Sequence, residues 1–386
     1  MYLLLLSLIY LAFISLGLPD SLLGAAWPTM QEYFQVPISY MGIISMTISG
    51  GTICSSLLSE RLTNRFGTKY VTVFSVFLTA AALFGFSLSN NFWLLCVWAV
   101  PYGLGAGAID AALNNYVAIH YNSRHISWLH CFWGVGTIIS PYIMSAALLH
   151  SSWENGYRMV SFVQFAIAIV LLSTLFVWKV NQKEDENKKS QALLGLGGAL
   201  KIRGVPFLLT GFFCYCAAES TTMLWSSSYL TQARDVSKEI AAAFASLFFI
   251  GITAGRFAAG FISEKLGDRK MIRLGFAIIL SGIICVSLPV ETDIAALSGL
   301  VLIGLGCAPV YPCIIHSTPS LFGSNNSQAI IGIQMACAYM GSTFIPPLFG
   351  LIANHISIRL FPAFLMLFFI FMLFMIEMTH RKTKSR

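Results

Sequence analysis

The chain has 386 residues, of which 57% are hydrophobic and only 10% are charged. Ordinary soluble domains contain about a quarter charged residues, so this composition excludes a soluble enzyme and indicates a protein that needs lipid around it. The formal net charge of +7 would suggest nucleic-acid binding in a soluble protein. In a chain this apolar we expect no nucleic-acid partner, because the basic residues instead follow membrane topology.

Apolar runs of roughly 20 residues recur along the whole chain, and each is long enough to cross about 30 Å of hydrocarbon. We predict twelve membrane-spanning helices, at residues 3–27, 38–60, 70–89, 93–119, 126–149, 157–179, 205–230, 240–263, 271–289, 294–316, 327–353 and 360–379. The first run has no basic segment before it and is followed by eleven others. We therefore expect a retained helix and not a signal peptide.

The basic residues predict the orientation of these spans. If both termini are cytoplasmic, the inner segments contain eighteen lysine and arginine residues and the outer loops contain four. This asymmetry predicts a multi-pass protein of the cell membrane (the inner or plasma membrane) with both termini in the cytoplasm. Arg256 is the one basic residue inside a predicted span. Because it lies eight residues before Glu264, we expect it to reach the cytoplasmic surface or to pair with that loop.

One long polar stretch separates the sixth span from the seventh. It predicts an N-terminal six-helix bundle at 1–180, a cytoplasmic linker at 181–204 and a C-terminal six-helix bundle at 205–386. Within the linker, the run LLGLGGALKI is apolar enough to form a short interfacial helix.

The two halves match each other at a nearly constant offset, as in transporters built from duplicated bundles. Asn64–Lys69 corresponds to Glu264–Arg269, an offset of 200. Further matches pair Gly103 and Gly105 with Gly304 and Gly306, Gly136 and Pro141 with Gly341 and Pro346, and Asp20 and Trp27 with Glu219 and Trp225. Four matches in the same order predict a two-fold structural repeat.

The segment GFISEKLGDRK, residues 260–270, resembles the GxxxD/E-R/K-xG-x-R/K-R/K signature of the major facilitator superfamily. The first-half copy has Asn64 in place of the acid and Glu60 in place of the first glycine. An acid near a helix end, a glycine for a tight turn and flanking cations would form a charge latch on the cytoplasmic face. We assign this gate motif to Arg65, Gly67, Lys69, Gly260, Glu264, Lys265, Gly267 and Arg269. Ordinary positive-inside anchors are the alternative.

Three other segments are similar to the fucose permease-like branch of that superfamily and to the related sodium-dependent glucose transporters. They are LPDSLLG at 18–24 with Trp27, GAIDAALNN at 107–115 and LHCFWGVG at 129–136. The resemblance implies an all-α membrane protein with twelve transmembrane helices in two pseudo-symmetric six-helix bundles, working by alternating access. It also implies that acids of the first and fourth helices, here Asp20 and Asp110, couple transport to protons.

Three carboxylates lie inside predicted spans: Asp20, Asp110 and Glu219. A charge in hydrocarbon costs at least about 2.5–3.5 kcal/mol, so each is a functional hypothesis. A carboxyl group in a medium of low dielectric favours its neutral form, and it can bind and release a proton as its surroundings change. We predict cation coupling at Glu219 as well, from its repeat-related position opposite Asp20. The alternative is a structural acid at a helix break, which Pro19 next to Asp20 would favour.

Polar and aromatic residues near these acids suit a sugar, which needs hydrogen-bonding partners and flat apolar surfaces. Helical spacing predicts that Asp20 shares a face with Trp27, and Asp110 with Asn114. The resemblance implies that spans one, four, five, seven, ten and eleven line the cavity. We predict substrate contacts from Trp27, Asn114, His130, Trp133, Thr222, Trp225 and Gln334. The alternatives are lipid-facing tryptophans and polar groups that bond neighbouring helices.

These features predict a secondary transporter that imports a small neutral solute, for which we expect a monosaccharide. We expect the coupling ion to be a proton, with sodium as the alternative. A proton-coupled exporter of drugs or metabolites is the alternative function. A cavity rich in phenylalanine and methionine would favour it, and the 30 phenylalanines of the chain are consistent with it. We expect no enzyme activity, because no nucleophile–base pair or metal cluster can be assembled from the spans. We also expect no metal, no cofactor beyond the transported ion, and a monomer in the lipid bilayer.

Overall fold

The computed structural model describes residues 2–37, 40–181, 194–236, 238–288 and 293–383. This part of the chain is helical and contains no β-strand. The helices before the linker are α1 (Tyr2–Gly17), α2 (Leu22–Phe34), α3 (Met41–Phe66), α4 (Thr68–Ser87), α5 (Phe92–His120), α6 (Ser123–His150) and α7 (Trp153–Ser173). The later helices are α8 (Gly195–Lys201), α9 (Val205–Arg234), α10 (Lys238–Leu266), α11 (Asp268–Ser287), α12 (Asp293–Phe322), α13 (Ser324–Ile352) and α14 (Phe361–Thr383).

The helices have the lengths that a bilayer requires. Ten stretches of the described chain are long and apolar enough to span it, and one of these, Ser324–Thr383, contains both α13 and α14. Helix α10 adds a further helix of 29 residues. The described residues therefore contain twelve helical spans, as predicted. The first of them, Leu3–Trp27, combines α1 with the start of α2.

The described chain forms two compact units. The first consists of Met1–Tyr116 and Leu129–Gly195, and the second of Val117–Trp128 and Leu196–Arg386. In the first unit α4 packs against α7; in the second, α9 packs against α13 and α14, and α12 packs against α10 and α11. The predicted bundle boundaries stay a prediction, and half of the predicted linker, residues 182–193, lies outside the described residues. Helix α8 coincides with the LLGLGGALKI run.

Close glycine contacts repeat in the two units. A Cβ atom on Gly103 would lie 2.1 Å from the carbonyl oxygen of Ile48, and one on Gly304 would lie 2.3 Å from that of Phe248. Gly105 lies against the carbonyl oxygen of Ser75, and Gly306 lies against that of Gly275 in the same way. Gly136 and Gly341 likewise lie against the carbonyl oxygens of Ile14 and Phe213. Glycine permits this close approach of two helix backbones because it has no side chain. The repeat predicted from sequence is therefore present in the packing of each unit.

The turns of the two motif copies also have the same geometry. Gly67 and Gly267 have φ angles of 81° and 76°, a region that residues with a Cβ atom rarely adopt. Each donates its backbone N–H over 2.8 Å to the residue four positions earlier, Thr63 or Ser263. Glycine at this position lets one spanning helix end and the next begin without a longer loop.

The glycine contact between α5 and α3 predicts the effect of a single methyl group. Gly103→Ala should lower the free energy of unfolding by roughly 1–3 kcal/mol, because the new methyl overlaps the Ile48 carbonyl. Gly50→Ala on α3 is the matched control, since a Cβ atom there meets nothing within 4 Å. Chemical unfolding in detergent measures both variants. Equal stability of the two would contradict the close approach of α3 and α5.

Candidate functional site

The first span is broken where its acid lies. No helix covers residues 18–21, which join α1 to α2. Ser21 Oγ donates to the carbonyl oxygen of Thr137 on α6 at 2.9 Å, which anchors the break. Pro19 fits this position because it has no backbone N–H to satisfy. Breaks in spanning helices are tolerated where they are covered by protein or line a cavity, and transporters use them at ion and substrate sites.

Asp20 lies in this break and is exposed on the first unit. Tyr102 Oη on α5 donates to its Oδ1 at 2.9 Å, and Trp133 Nε1 on α6 donates to its Oδ2 at 2.8 Å. Hydrogen bonds to a charged group typically contribute about 1.5–3 kcal/mol each. The two donors hold the carboxylate in one orientation and join the helix break to α5 and α6.

The predicted shared face of Asp20 and Trp27 is wrong. Trp27 is only 3% exposed, whereas Asp20 is exposed. The non-helical residues 18–21 interrupt the angular spacing on which the prediction relied. Trp27 is buried in the first unit, and its predicted substrate contact stays a prediction, whereas Trp133 donates a hydrogen bond to the acid.

A second acid is part of a buried hydrogen-bonded chain. Asn114 Nδ2 donates to Asp110 Oδ1 at 2.7 Å, and Asn114 Oδ1 lies 3.1 Å from His130 Nε2. The last contact is a hydrogen bond when Nε2 carries the proton. All three side chains are buried in the first unit. The predicted shared face of Asp110 and Asn114 is confirmed, and these hydrogen bonds link α5 to α6.

In the second unit, Glu219 on α9 lies between a phenol and a guanidinium. Tyr215 Oη lies 2.9 Å from Glu219 Oε1 and also 2.9 Å from the carbonyl oxygen of Cys307. Arg256 Nη2 on α10 lies 3.6 Å from the same Oε1, with side chains that are 7% and 12% exposed for Arg256 and Glu219. This carboxylate therefore has a positive charge beside it.

The expected position of Arg256 is wrong. Its side chain does not reach the loop after α10 but is buried against Glu219. A buried guanidinium requires a nearby anion. Spacing along α10 could not show that α9 places a carboxylate within reach, because that contact depends on how the two helices pack.

The remaining predicted substrate residues of the second unit bond to protein groups. Thr222 Oγ1 donates to the Ala218 carbonyl at 2.8 Å, and Trp225 Nε1 donates to the Pro346 carbonyl at 2.8 Å. Gln334 Oε1 accepts from the Thr318 hydroxyl at 3.0 Å, and its Nε2 has no hydrogen-bond partner among the described residues. Thr222 and Gln334 are fully buried. Thr222 bonds within α9, whereas Trp225 joins α9 to α13 and Gln334 joins α13 to α12. Their predicted role in substrate binding stays a prediction.

The second copy of the gate motif forms a charge pair within the second unit. Arg124 Nε donates to Glu264 Oε1 at 3.0 Å, its Nη2 contacts Oε2, and Asn122 Nδ2 donates to Oε1 at 3.0 Å. These hydrogen bonds hold the pKa of Glu264, which lies beyond the predicted end of its span, below its usual value. Gly260 leaves room for Trp128, whose Nε1 would lie 2.2 Å from a Cβ atom there.

The cations of the two copies differ in their partners. Arg269 Nη2 lies 2.5 Å from Glu377 Oε2, and Lys265 is exposed. Neither Arg65 nor Lys69 forms an ion pair with another described residue. Glu60, which replaces the first glycine, accepts the backbone N–H groups of residues 194 and 195 at 2.8 and 2.9 Å. The first copy therefore holds the start of α8, and its predicted gating role stays a prediction.

Two tyrosines of these clusters were not predicted. Tyr215 lies four residues before Glu219, so helical spacing alone could have identified it as a neighbour on the same face. Tyr102 is separated from Asp20 by 82 positions along the chain. No local pattern indicates that contact, which depends on the packing of α5 beside the helix break.

A family model described as Major Facilitator Superfamily matches residues 9–327 and 208–386. The chain belongs to the major facilitator superfamily. Members of this superfamily are transporters, so the chain is a transporter and not an enzyme, as predicted. The glycine contacts and the broken first helix are thus features of a major facilitator protein.

Curated relatives span most of this major facilitator chain. Bypass of stop codon protein 6 of Saccharomyces cerevisiae is 23% identical over an alignment of 387 positions, gaps included, which covers 91% of this chain and 77% of that protein. The glucose/mannose transporter GlcP of Bacillus subtilis is 22% identical over 361 residues, covering 91% of this chain and 88% of that protein.

The fold is similar to that of FucP, solved in the outward conformation. The TM-score is 0.77 at 17% identity, with 97% of this chain and 99% of FucP covered. A second structure of FucP, from E. coli, is described as that of a fucose:proton symporter, with a TM-score of 0.74. At this level of identity the likeness establishes the fold alone.

The buried pair in the second unit predicts a stability effect. Arg256→Gln should lower the free energy of unfolding by roughly 3 kcal/mol, because it leaves a buried carboxylate without its cation. The double variant Arg256→Gln/Glu219→Gln should recover much of that loss. Chemical unfolding in detergent measures the double-mutant cycle, with Lys265→Gln, an exposed cation of the same helix, as control. Additive losses in the double variant would contradict a direct interaction.

Proposed function

We propose that this chain imports a monosaccharide together with a proton. It does so by alternating access, in which one binding site opens in turn to each side of the membrane. The observation that carries the proposal is Asp20, an exposed carboxylate in a broken spanning helix. Two relatives support the solute and the ion, since GlcP is described as a glucose/mannose transporter and FucP as a fucose:proton symporter.

Asp20 is the best placed of the three acids to bind the coupling ion. Its described partners, Tyr102 and Trp133, are neutral donors, so they orient the carboxylate without compensating its negative charge. Glu219, by contrast, has the guanidinium of Arg256 within 3.6 Å. Because a cation is attracted most strongly to an uncompensated carboxylate, we rank Asp20 ahead of Glu219. Asp110, buried with Asn114 and His130, is the second coupling candidate.

The groups around Asp20 favour a proton over sodium. Sodium, like other hard metal cations, takes several oxygen ligands. One of the two donors to Asp20 is instead the indole N–H of Trp133. An N–H group cannot coordinate a cation. A carboxyl group that gains a proton can keep the Tyr102 hydroxyl as a hydrogen-bond partner, because a hydroxyl both donates and accepts.

The same cluster suits a sugar. The indole of Trp133 is half-buried beside an exposed carboxylate. Indole rings pack against the C–H face of a sugar, and a carboxylate accepts hydrogen bonds from its hydroxyl groups. Binding of the solute beside Asp20 would link occupancy by the sugar to occupancy by the proton.

Uptake by proteoliposomes tests the solute and the ion together. A panel of labelled monosaccharides is offered under an imposed pH gradient or an imposed sodium gradient, each alone. We expect concentrative uptake of at least one sugar with the pH gradient, abolished by a protonophore. Uptake with the sodium gradient alone would replace the proton by sodium. Absence of gradient-dependent uptake for every sugar would favour the exporter of drugs or metabolites.

Asp20→Asn tests the coupling residue. We expect loss of gradient-driven accumulation with retention of sugar exchange across the membrane, because the amide binds no proton but keeps a similar shape. Glu32→Gln is the matched control, an exposed acid of the adjacent helix α2, and it should accumulate sugar like the wild type. Unchanged accumulation by Asp20→Asn would overturn the assignment.

A further inference from the structure

The first unit has an apolar groove that the transport mechanism does not use. Its volume is about 720 Å³, within the range of sites for small molecules. It is lined by the second half of α3, the first half of α4 and the middle of α5, with Leu58, Leu62, Phe66, Tyr70, Phe74 and Leu104 among its residues. Ser55, a polar residue of this lining, has its hydroxyl 3.2 Å from the Thr52 carbonyl oxygen. The lining is therefore almost entirely apolar, and it suits a hydrocarbon ligand.

The walls of the groove are exposed on the first unit. Phe74 is 67% exposed and Tyr70 is 50% exposed. On spanning helices, large apolar side chains that are exposed contact lipid chains. An acyl chain is thus the hydrocarbon that such a groove meets in a bilayer.

Two cations lie at one end of the groove. The guanidinium carbon of Arg65 is 5.4 Å from the ring centroid of Phe66, and Lys69 Nζ is 5.0 Å from that of Tyr70. Both rings line the groove. Within the described chain neither cation pairs with a carboxylate, whereas Arg269, the repeat-related residue of Lys69, pairs with Glu377. The positive charge at this end is therefore available to an anion.

We propose that this groove binds one anionic phospholipid. The acyl chain lies along Leu58, Leu62 and Phe74, and the phosphate lies between Arg65 and Lys69. The α3–α4 turn is on the predicted cytoplasmic side, where anionic lipids are enriched. The groove is apolar along its length and has two cations at one end. An anionic phospholipid is complementary to it, because its acyl chain is apolar and its headgroup carries the negative charge.

Native mass spectrometry of the delipidated full chain tests whether Arg65 and Lys69 bind the anionic headgroup. We expect tight binding of one dioleoyl phosphatidylglycerol and weak binding of dioleoyl phosphatidylcholine. Arg65→Ser/Lys69→Ser should weaken phosphatidylglycerol binding by roughly 30-fold, since each cation contributes a factor of about five near an anionic lipid. Lys265→Ser/Lys270→Ser, which removes two exposed cations at the equivalent turn of the second unit, should change it less than about twofold. Equal binding of the two lipids, or an equal loss in both variants, would overturn the proposal.

The groove itself is tested by filling it. Leu104→Trp should reduce phosphatidylglycerol binding while both cations remain, and an unchanged thermal midpoint shows that the variant is folded. A phosphatidylglycerol with a photoreactive acyl chain should label peptides of α3, α4 and α5 in the wild type. Labelling confined to other helices would overturn the proposal even if Leu104→Trp proved unstable.

Discussion

Hydrocarbon supplies no hydrogen bonds, so every polar group that enters the bilayer must find its partner within the protein. The first span of this chain meets that requirement at its break. Ser21 bonds to a carbonyl of α6, and the Asp20 carboxylate accepts one donor from α5 and one from α6. The glycine contact between α1 and α6 brings these helices close enough for the bonds to form. The close approach of the α1 and α6 backbones therefore brings Thr137 and Trp133 within reach of the break in the first span.

The two units share their packing but not their electrostatics. Their glycine contacts correspond pair by pair, with carbonyl partners offset by about 200 residues. The acids at corresponding positions differ, because Asp20 has two neutral donors whereas Glu219 has a tyrosine and an arginine. Duplication thus preserved the backbone contacts that hold a unit together, while the charges diverged. This asymmetry is the reason that we rank Asp20 ahead of Glu219 as the proposed coupling residue.

The gate motif shows the same divergence at the membrane surface. In the second copy, Glu264 pairs with Arg124 and Arg269 pairs with Glu377. In the first copy, Glu60 is turned towards the backbone of α8, and Arg65 and Lys69 lie over aromatic rings beside an apolar groove. Both turns lie on the predicted cytoplasmic side, where the positive-inside rule favours cations but does not specify their partners. Arg269 in the second copy has a carboxylate partner, whereas Arg65 and Lys69 in the first copy have none among the described residues.

The sequence by itself determined the features that depend on composition, periodicity and repetition. Hydrophobic runs of spanning length, the charge asymmetry and the offset of 200 predicted twelve helices in two repeated halves, and the resemblance of residues 260–270 to a family signature implied the major facilitator fold. The shared face of Asp110 and Asn114 also followed from sequence, since four residues make about one helical turn. Tertiary structure alone decided which helices face each other. It separated Trp27 from Asp20 by a break in the helix, paired Arg256 with Glu219 and not with the loop, and placed Tyr102 on Asp20. Local periodicity describes one helix at a time, and these contacts arise from the packing of helices that are far apart in the chain.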